Sequence, residues 1–244
     1  RTVTVTGVDD PAVDGAVAYT IVTAAATSGD PNYSGRNAAD VSITNSDNDP
    51  LGINVNPTAG LVTTEAGGTA TFTVVLASQP SAGVTIAVAS SDLTEGTAAP
   101  ATLTFTSANW NVAQTVTVTG VDDPFVDGPI GYSIVTAPAV SADLGYAGIN
   151  PNDVSVTNND NDAAGITVSP TSGLTTTEAG GAATFTIVLL SQPSANVTIG
   201  LSTSDATEGA VAPAALTFTP AHRSVPPTAA SAPSDGSRRS SPTA

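Results

Sequence analysis

Apolar and polar residues alternate along most of this chain. The segment Thr115–Thr119 reads TVTVT, so its valines lie on one side of an extended backbone and its threonines on the other. Val84, Ile86 and Val88 repeat this period of two. Such a period is typical of a strand with one buried and one solvated face. No segment combines sustained helical periodicity with capping residues, so the pattern predicts a chain built of β-strands.

Turn residues separate the alternating segments, because clusters of Gly, Pro, Asn and Asp stand between them. Short antiparallel strands joined by such turns are typical of an immunoglobulin-like β-sandwich. The predicted fold class is therefore all-β, with tandem antiparallel sandwiches. The seven strands predicted in the middle of the chain lie near Gly52–Asn56, Thr69–Ala77, Val84–Ser90, Ala101–Thr106, Gln114–Val121, Gly131–Thr136 and Asp153–Asn158.

A block of 113 residues occurs twice. The sequence TVTVTGVDDP fills both Thr2–Pro11 and Thr115–Pro124, and the same offset holds as far as Ala108 and its copy Ala221. A repeat of this length indicates an array of sandwich-sized modules. The predicted domains are the C-terminal half of a unit (residues 1–50), a complete unit (51–163), the N-terminal half of a unit (164–222) and an irregular tail (223–244).

The phase of the repeat gives each half-unit its own expected strands. The first half-unit is expected to begin at its fifth strand, over Thr2–Thr6. The last half-unit is expected to hold the first four strands. The tail breaks the repeat and contains one large aliphatic residue, Val225, so we expect it not to pack. Two hypotheses stay open for it, a frameshift near codon 222 and a natural disordered tail, and the encoding DNA distinguishes them.

The charge balance limits the kinds of partner that the chain is expected to bind. The chain has 21 acidic residues against five basic ones, all of them arginine. An acidic surface repels nucleic acid and anionic membranes and attracts cations. No apolar run has the roughly 18–20 residues of a spanning helix, so we expect no membrane insertion. The absence of cysteine excludes disulfides and thiolate metal sites.

The acidic residues recur at the same strand ends in each copy. The ends of the fifth and seventh strands of a sandwich lie at one pole, and the loop into the second strand can reach it. Carboxylates gathered there without basic partners repel one another, and a Ca²⁺ ion with six to eight oxygen ligands relieves the repulsion. The simpler interpretation, that Asp is an ordinary turn former, stays open. The recurring set is Asp122, Asp123 and Asp127 with copies Asp9, Asp10 and Asp14; Asp160 and Asp162 with copies Asp47 and Asp49; and Glu65 with copy Glu178.

The motifs of the complete unit, in order, resemble the Calx-beta domain family of sodium–calcium exchangers, an integrin subunit and large bacterial surface proteins. They are the turn TEAGG at Thr64–Gly68, the strand LTFT at Leu103–Thr106, a strand ending at Asp122-Asp123 and a last strand ending in DND at Asp160–Asp162. The resemblance covers Gly52–Asp162 and implies a sandwich that binds calcium at one pole, near the junction with the next domain. The ligands that it implies are Glu65, Asp122, Asp123, Asp127, Asp160 and Asp162.

The chain also departs from that family. The Gly-Ser-Asp-Tyr element between the third and fourth strands is missing, and the acidic Glu-x-x-Glu after Asp-Asp is reduced to Asp127-Gly128. At least one family ligand is lost, so we expect fewer or weaker calcium ions.

Residues and resemblance together predict a non-enzymatic, calcium-binding structural or adhesive module of a large extracellular or cell-surface protein. His222 is the single histidine and cysteine is absent, so Ser–His or Cys–His catalysis has no support. The expected partners are neighbouring repeats or other copies of the chain, together with a cell-surface or matrix ligand of unknown identity. The alternative is a self-assembling filament subunit, in which the C-terminal half-unit of one chain completes the N-terminal half-unit of the next.

Overall fold

The computed structural model describes residues 1–221. This part of the chain is all-β, with one complete sandwich flanked by two partial ones, which confirms the predicted fold class. His222 and the predicted tail, 223–244, lie outside the described residues. The strands are β1 (Val17–Ile21), β2 (Val41–Asn45), β3 (Ile53–Asn56), β4 (Leu61–Thr64), β5 (Thr69–Leu76), β6 (Val84–Ser90), β7 (Gly96–Ala99), β8 (Thr102–Phe105), β9 (Gln114–Gly120), β10 (Ile130–Thr136), β11 (Val140–Ser141), β12 (Val154–Asn159), β13 (Ile166–Ser169), β14 (Thr186–Leu189), β15 (Val197–Gly200) and β16 (Ala215–Phe218).

Two sheets form the complete sandwich. One has the order β3-β5-β9-β7, and the other has the order β11-β6-β10-β12-β4, with β8 also paired to β6. Inward-facing residues of both sheets form one continuous core, as the alternation predicted. Phe72, Val116, Ile86, Phe105 and Ile134 are each no more than 1% exposed. Because apolar burial is the main stabilising term in folding, this core holds the two sheets together.

All seven strands predicted for the complete unit are confirmed, and the structure adds β4, β7 and β11. The sequence Gly96–Ala99 of β7 reads GTAA, which is poor in β-branched and aromatic residues. It is a strand because it pairs with β9, where Thr97 lies opposite Thr119. Local pattern therefore missed an edge strand that its neighbour imposes.

The expected strand at Thr2–Thr6 is wrong, because residues 1–11 form no strand. Its copy in the complete unit, β9, pairs with β5 on one side and with β7 on the other. The first half-unit has neither partner, so the same TVTVT sequence stays unpaired. Val3 and Val5 are 81% and 41% exposed, whereas their copies Val116 and Val118 are fully buried.

The last half-unit forms its four expected strands, β13 to β16, of which β14 and β15 are shorter than their copies β5 and β6. β5 runs over eight residues, whereas its copy β14 runs over four. The four that remain are those that pair with β13, as Thr186 does with Ser169. The missing four correspond to Thr69–Phe72, which in β5 pair with β9. A strand in the half-unit thus extends only as far as it has a neighbouring strand to pair with.

Contacts divide the chain into two compact bodies. Body 1 is Arg1–Val121 with Gly131–Asn158, and body 2 is Asp122–Ile130 with the chain from Asn159 onward. The loop after β9 and the end of β12 therefore group with the last half-unit. Among the described residues, no helix is long and apolar enough to cross a membrane.

The same joint occurs once in each body. In body 1 the Gln79 amide donates to the Pro11 carbonyl at 2.7 Å, and in body 2 the Gln192 amide donates to the Pro124 carbonyl at 2.7 Å. The side chain of Gln79 also donates to the Ser107 carbonyl. The joint thus fixes the Asp-Asp-Pro segment of one repeat against the next repeat.

Tyr146 is expected to be a strong stability determinant of the complete unit. Its hydroxyl donates to the Ser78 carbonyl at 2.7 Å and accepts from the Ser78 amide at 3.0 Å, and the side chain is 1% exposed. Tyr146→Phe leaves those buried groups short of a partner and should cost about 2 kcal/mol. Tyr33, its copy, is 65% exposed, so Tyr33→Phe is the matched control. Equal urea midpoints for both variants would contradict the assignment.

Candidate metal centre

Asp160 joins two acidic loops of body 2. Its Oδ2 atom accepts hydrogen bonds from the amides of Asp127, at 3.0 Å, and Gly128, at 2.8 Å. Its Oδ1 atom accepts from the Asp162 amide at 2.6 Å. Asn161 adds a bond from its side-chain amide to the Asp122 carboxylate at 3.0 Å. The loop after β9 and the loop after β12 are therefore held together, and their carboxylates are gathered.

The first half-unit repeats this clamp in body 1. The Asp47 Oδ2 atom accepts from the Gly15 amide at 2.8 Å, and its Oδ1 atom accepts from the Asp49 amide at 2.8 Å. Asp10 and its copy Asp123 each cap the amide two residues further on, at 3.0 and 2.8 Å. Two separate parts of the chain thus adopt one acidic loop geometry.

Like charge accumulates in both loop pairs. Partial desolvation, followed by the charges of Asp123, Asp160 and Asp162, raises the pKa of Asp127 above its ordinary value. Desolvation, followed by the charges of Asp9, Asp47, Asp10 and Asp14, likewise raises the pKa of Asp49. Backbone amide donation, first from Asp49 and then from Gly15, lowers the pKa of Asp47, so this clamp residue keeps its charge. Residues 37–222 contain no lysine or arginine, so no basic side chain of that stretch offsets the repulsion.

Body 1 contains a buried hub of hydrogen-bonded polar groups. The Thr63 hydroxyl donates to Asn158 Oδ1 at 3.0 Å, and Asn158 Nδ2 donates to the Val121 carbonyl at 3.0 Å and to Glu95 Oε2 at 3.4 Å. The Val121 amide donates to the Glu95 carbonyl at 3.0 Å. The hub therefore cross-links β4, β12 and the segments that flank β7 and β9.

The hub residues and the predicted ligands are close together in the sequence. Each acidic segment of the complete unit that was predicted from the sequence starts within two residues of a hub member. Each segment therefore follows a residue of the hub closely along the chain. The pairs are Thr63 with Glu65, Val121 with Asp122, and Asn158 with Asp160.

Glu95 is a candidate ligand that the sequence analysis missed. It is 5% exposed, and the predicted ligand Glu65 is 4% exposed. Burying a carboxylate costs several kcal/mol unless hydrogen bonds, opposite charge or a metal stabilise it. A signal was present, because Thr94-Glu95-Gly96 recurs as Thr207-Glu208-Gly209.

The structure distributes the predicted site residues between the two bodies. Glu178 is exposed in the turn of the last half-unit, unlike its buried copy Glu65 in body 1. Their roles as ligands stay predictions. The acidic loops gather Asp122, Asp123, Asp127, Asp160 and Asp162 in body 2, and Asp9, Asp10, Asp14, Asp47 and Asp49 in body 1.

No family model matches the chain, and no curated protein matches it. Similar solved structures include the CBD1 domain of Calx in its apo form, at 16% identity and a TM-score of 0.35, covering 45% of this chain and 96% of that one. The calcium binding domain CBD12 of CALX1.1 is 17% identical with a TM-score of 0.36, and the match covers 75% of each chain. Domains 4 and 5 of the S-layer protein SbsC are 19% identical with a TM-score of 0.30, covering 60% of this chain and 70% of that one. These similarities are distant, and the function proposed below rests on this chain's own residues.

Proposed function

We propose that this chain is a non-enzymatic calcium-binding module of an extracellular or cell-surface protein, in which Ca²⁺ stiffens the ends of the sandwich. The observation that carries the proposal is the recurrence of one acidic clamp in two parts of the chain. Asp160 and Asp47 make the same bonds at the same offset and draw the same carboxylates together. Turn formation alone does not require two loops rich in like charge to be held side by side.

Calcium suits this donor set because it is a hard cation that takes six to eight oxygen ligands in flexible geometry. The backbone clamp leaves the neighbouring carboxylates in place to act as those ligands. The raised pKa of Asp127 marks the repulsion that a bound cation would relieve. In body 2 the proposed ligands are Asp122, Asp123, Asp127, Asp160 and Asp162. In body 1 they are Glu65 and the newly identified Glu95, together with Asp9, Asp10, Asp14, Asp47 and Asp49 of the first half-unit.

No catalytic role is proposed for the carboxylates. Asp160 and Asp47 accept backbone amides in a loop geometry that recurs, and Glu95 is buried within the hub. Each of these three carboxylates therefore has a structural role. A general acid or base instead needs free access to a substrate proton.

Thermal melting with calcium, with magnesium and with chelator tests the proposal. A ligand that binds only the folded state stabilises it by about 2.7 kcal/mol at a hundredfold excess over Kd. For a domain of this size that is a rise in Tm of roughly 10 °C. We expect calcium to raise Tm and magnesium to raise it less, because magnesium requires rigid octahedral geometry. Equal Tm in calcium and in chelator would contradict the proposal.

The repeat supplies a matched pair of variants for this measurement. Glu65→Gln should reduce the calcium-induced rise in Tm. Glu178→Gln should leave it unchanged, because the described part of the last half-unit contains no fifth or seventh strand of its own. An unchanged response in Glu65→Gln would show that Glu65 is not a ligand, and an equal loss in both variants would show that the response depends on acidic charge in general.

A further inference from the structure

One asparagine hydrogen bond recurs beside both copies of the acidic loop. The Asn45 Nδ2 atom donates to the Val8 carbonyl at 2.9 Å, and the copy of this atom, Asn158 Nδ2, donates to the Val121 carbonyl at 3.0 Å. Each valine directly precedes an Asp-Asp pair, and each asparagine stands two residues before a clamp aspartate. The bond therefore joins the two stretches of chain that lead into the acidic residues.

The bond forms in two different surroundings. Asn158 is 1% exposed, and its Oδ1 atom accepts from the Thr63 hydroxyl at 3.0 Å within the hub. Asn45 is partly exposed, and the Val8 side chain beside its bond is 79% exposed. Because the same bond is made in a buried and in an exposed setting, packing in the hub does not account for it.

A glycine before each valine makes room for the asparagine. A Cβ atom at Gly7 would lie 2.6 Å from the Asn45 Oδ1 atom, and a Cβ atom at Gly120 would lie 2.5 Å from the Asn158 Oδ1 atom. Glycine permits so close an approach to the backbone because it has no Cβ atom. In both copies the sequence Gly-Val-Asp-Asp thus combines room for the amide with the acidic pair that follows.

In the first half-unit the acidic segment 9–14 is held at both ends by one short stretch of chain. The Val8 carbonyl before it is bonded to Asn45, and the Gly15 amide after it is bonded to the Asp47 Oδ2 atom at 2.8 Å. The segment between these two bonds contains three of the proposed ligands. Fixing both of its ends limits the positions of its carboxylates, so less entropy is lost when they bind an ion.

We infer that Asn45 is a positioning residue of the calcium site in the first half-unit, an inference that rests on the function proposed above. Its Nδ2 atom is a hydrogen-bond donor and cannot bind a cation, and its Oδ1 atom faces Gly7. Asn45 therefore acts on calcium binding through the segment that it holds. Without its bond the peptide between Val8 and Asp9 is free to turn, and ordering that segment then weakens binding.

Calorimetric titration of calcium into the full chain carrying Asp160→Asn tests this inference. That substitution disrupts the clamp of body 2, so the remaining heat reports the Asp47 site. Adding Asn45→Ala should raise the Kd of this site by about fivefold, the value of one ordinary hydrogen bond. An unchanged Kd would overturn the inference and leave the proposed function standing. No saturable heat in the Asp160→Asn chain itself would contradict calcium binding by the first half-unit, and the inference would fall with it.

Thr23→Val is the matched control for a loss of stability. The Thr23 hydroxyl donates to the Ala38 carbonyl at 2.8 Å, and Thr23 follows the end of β1, whereas Gly15 precedes its start. Loss of a bond that only supports the fold lowers Tm in chelator and leaves the Kd of the folded chain unchanged. Thr23→Val should therefore not alter Kd in the same background. An equal rise in Kd in Thr23→Val and Asn45→Ala would show a general effect of stability and would overturn the positioning role.

Gly7→Ala disturbs the same bond from its other side and completes a double-mutant cycle. The three atoms nearest to the added Cβ all belong to the Asn45 side chain, so Gly7→Ala should displace the amide and raise Kd by about fivefold. In the Asn45→Ala chain that side chain is gone, and Gly7→Ala should add no more than about a twofold rise. Independent losses, which would raise Kd by about 25-fold in the double variant, would show that Asn45 does not act through this bond and would overturn the inference.

Discussion

Gly120→Ala is expected to lower the free energy of unfolding of the complete unit by about 3 kcal/mol. A Cβ atom at this position would lie 2.3 Å from the Thr64 carbonyl oxygen and 2.5 Å from Asn158 Oδ1. Neither neighbour can move cheaply. The first is backbone beside the TEAGG turn, and the second is held in the buried hub by Thr63. The Gly120 amide also donates to the Gly68 carbonyl at 3.0 Å, so the two segments cannot separate without losing a hydrogen bond.

Gly7 is the copy of Gly120 and provides the control. A Cβ atom there would meet only the Asn45 side chain, with Oδ1 at 2.6 Å, and no backbone atom. That side chain is partly exposed, and rotating it gives up an exposed hydrogen bond to the Val8 carbonyl, so Gly7→Ala should lower stability by about 1 kcal/mol or less. Urea unfolding in chelator measures both variants. An equal loss of unfolding free energy in Gly120→Ala and Gly7→Ala would mean that crowding at the hub does not cause the destabilisation.

Asp127→Asn is expected to act with opposite signs with and without calcium. The folded-state pKa of Asp127 is raised, so its stabilising contribution is present below the ordinary Asp pKa and is lost as pH rises through the raised value. At neutral pH without calcium the carboxylate therefore destabilises the fold. Asparagine removes that charge, so the variant should melt at a higher temperature than the natural chain in chelator.

In calcium the order should reverse, because the variant has lost one negative ligand. Ligand charge count tunes calcium affinity over orders of magnitude, and we expect a loss of about tenfold or more. Melting curves in chelator and in calcium at pH 7 measure both signs. As pH falls below the ordinary Asp pKa in chelator, the difference between variant and natural chain should shrink, because Asp127 becomes protonated in both the folded and the unfolded state. A lower Tm for the variant in chelator at neutral pH would contradict the electrostatic account.

Most of the fold followed from the alternation, because period-two patterns decide which face of a strand is buried. Prediction from alternation fails at Thr2–Thr6, which has the same sequence as Thr115–Thr119 and a different structure. A strand is completed by its neighbours, and only the second segment has β5 and β7 beside it. The missed β7 is the converse case, in which a weak local pattern is made into a strand by its partner.

The candidate site was predictable to the extent that it recurs. The repeat identified the acidic pairs at the ends of β9 and β12, and the structure gathers them around Asp160. Glu95 was missed because the loop before β7 has no acidic pair, so its role depends on burial, which sequence does not show directly. The position of its backbone beside Val121 is a tertiary contact with no local signature.

Calorimetric titration of calcium into the chelator-treated 244-residue chain tests the central claim most directly. Extracellular calcium modules bind with Kd values of about 10⁻⁴–10⁻³ M. The account predicts saturable binding with a Kd in this range or tighter. Asp160→Asn, which disrupts the clamp of body 2 and removes a ligand charge, should remove the heat of that site and leave the heat of the Asp47 site. Absence of saturable binding up to about 10 mM calcium, beyond the range of such modules, would contradict the account.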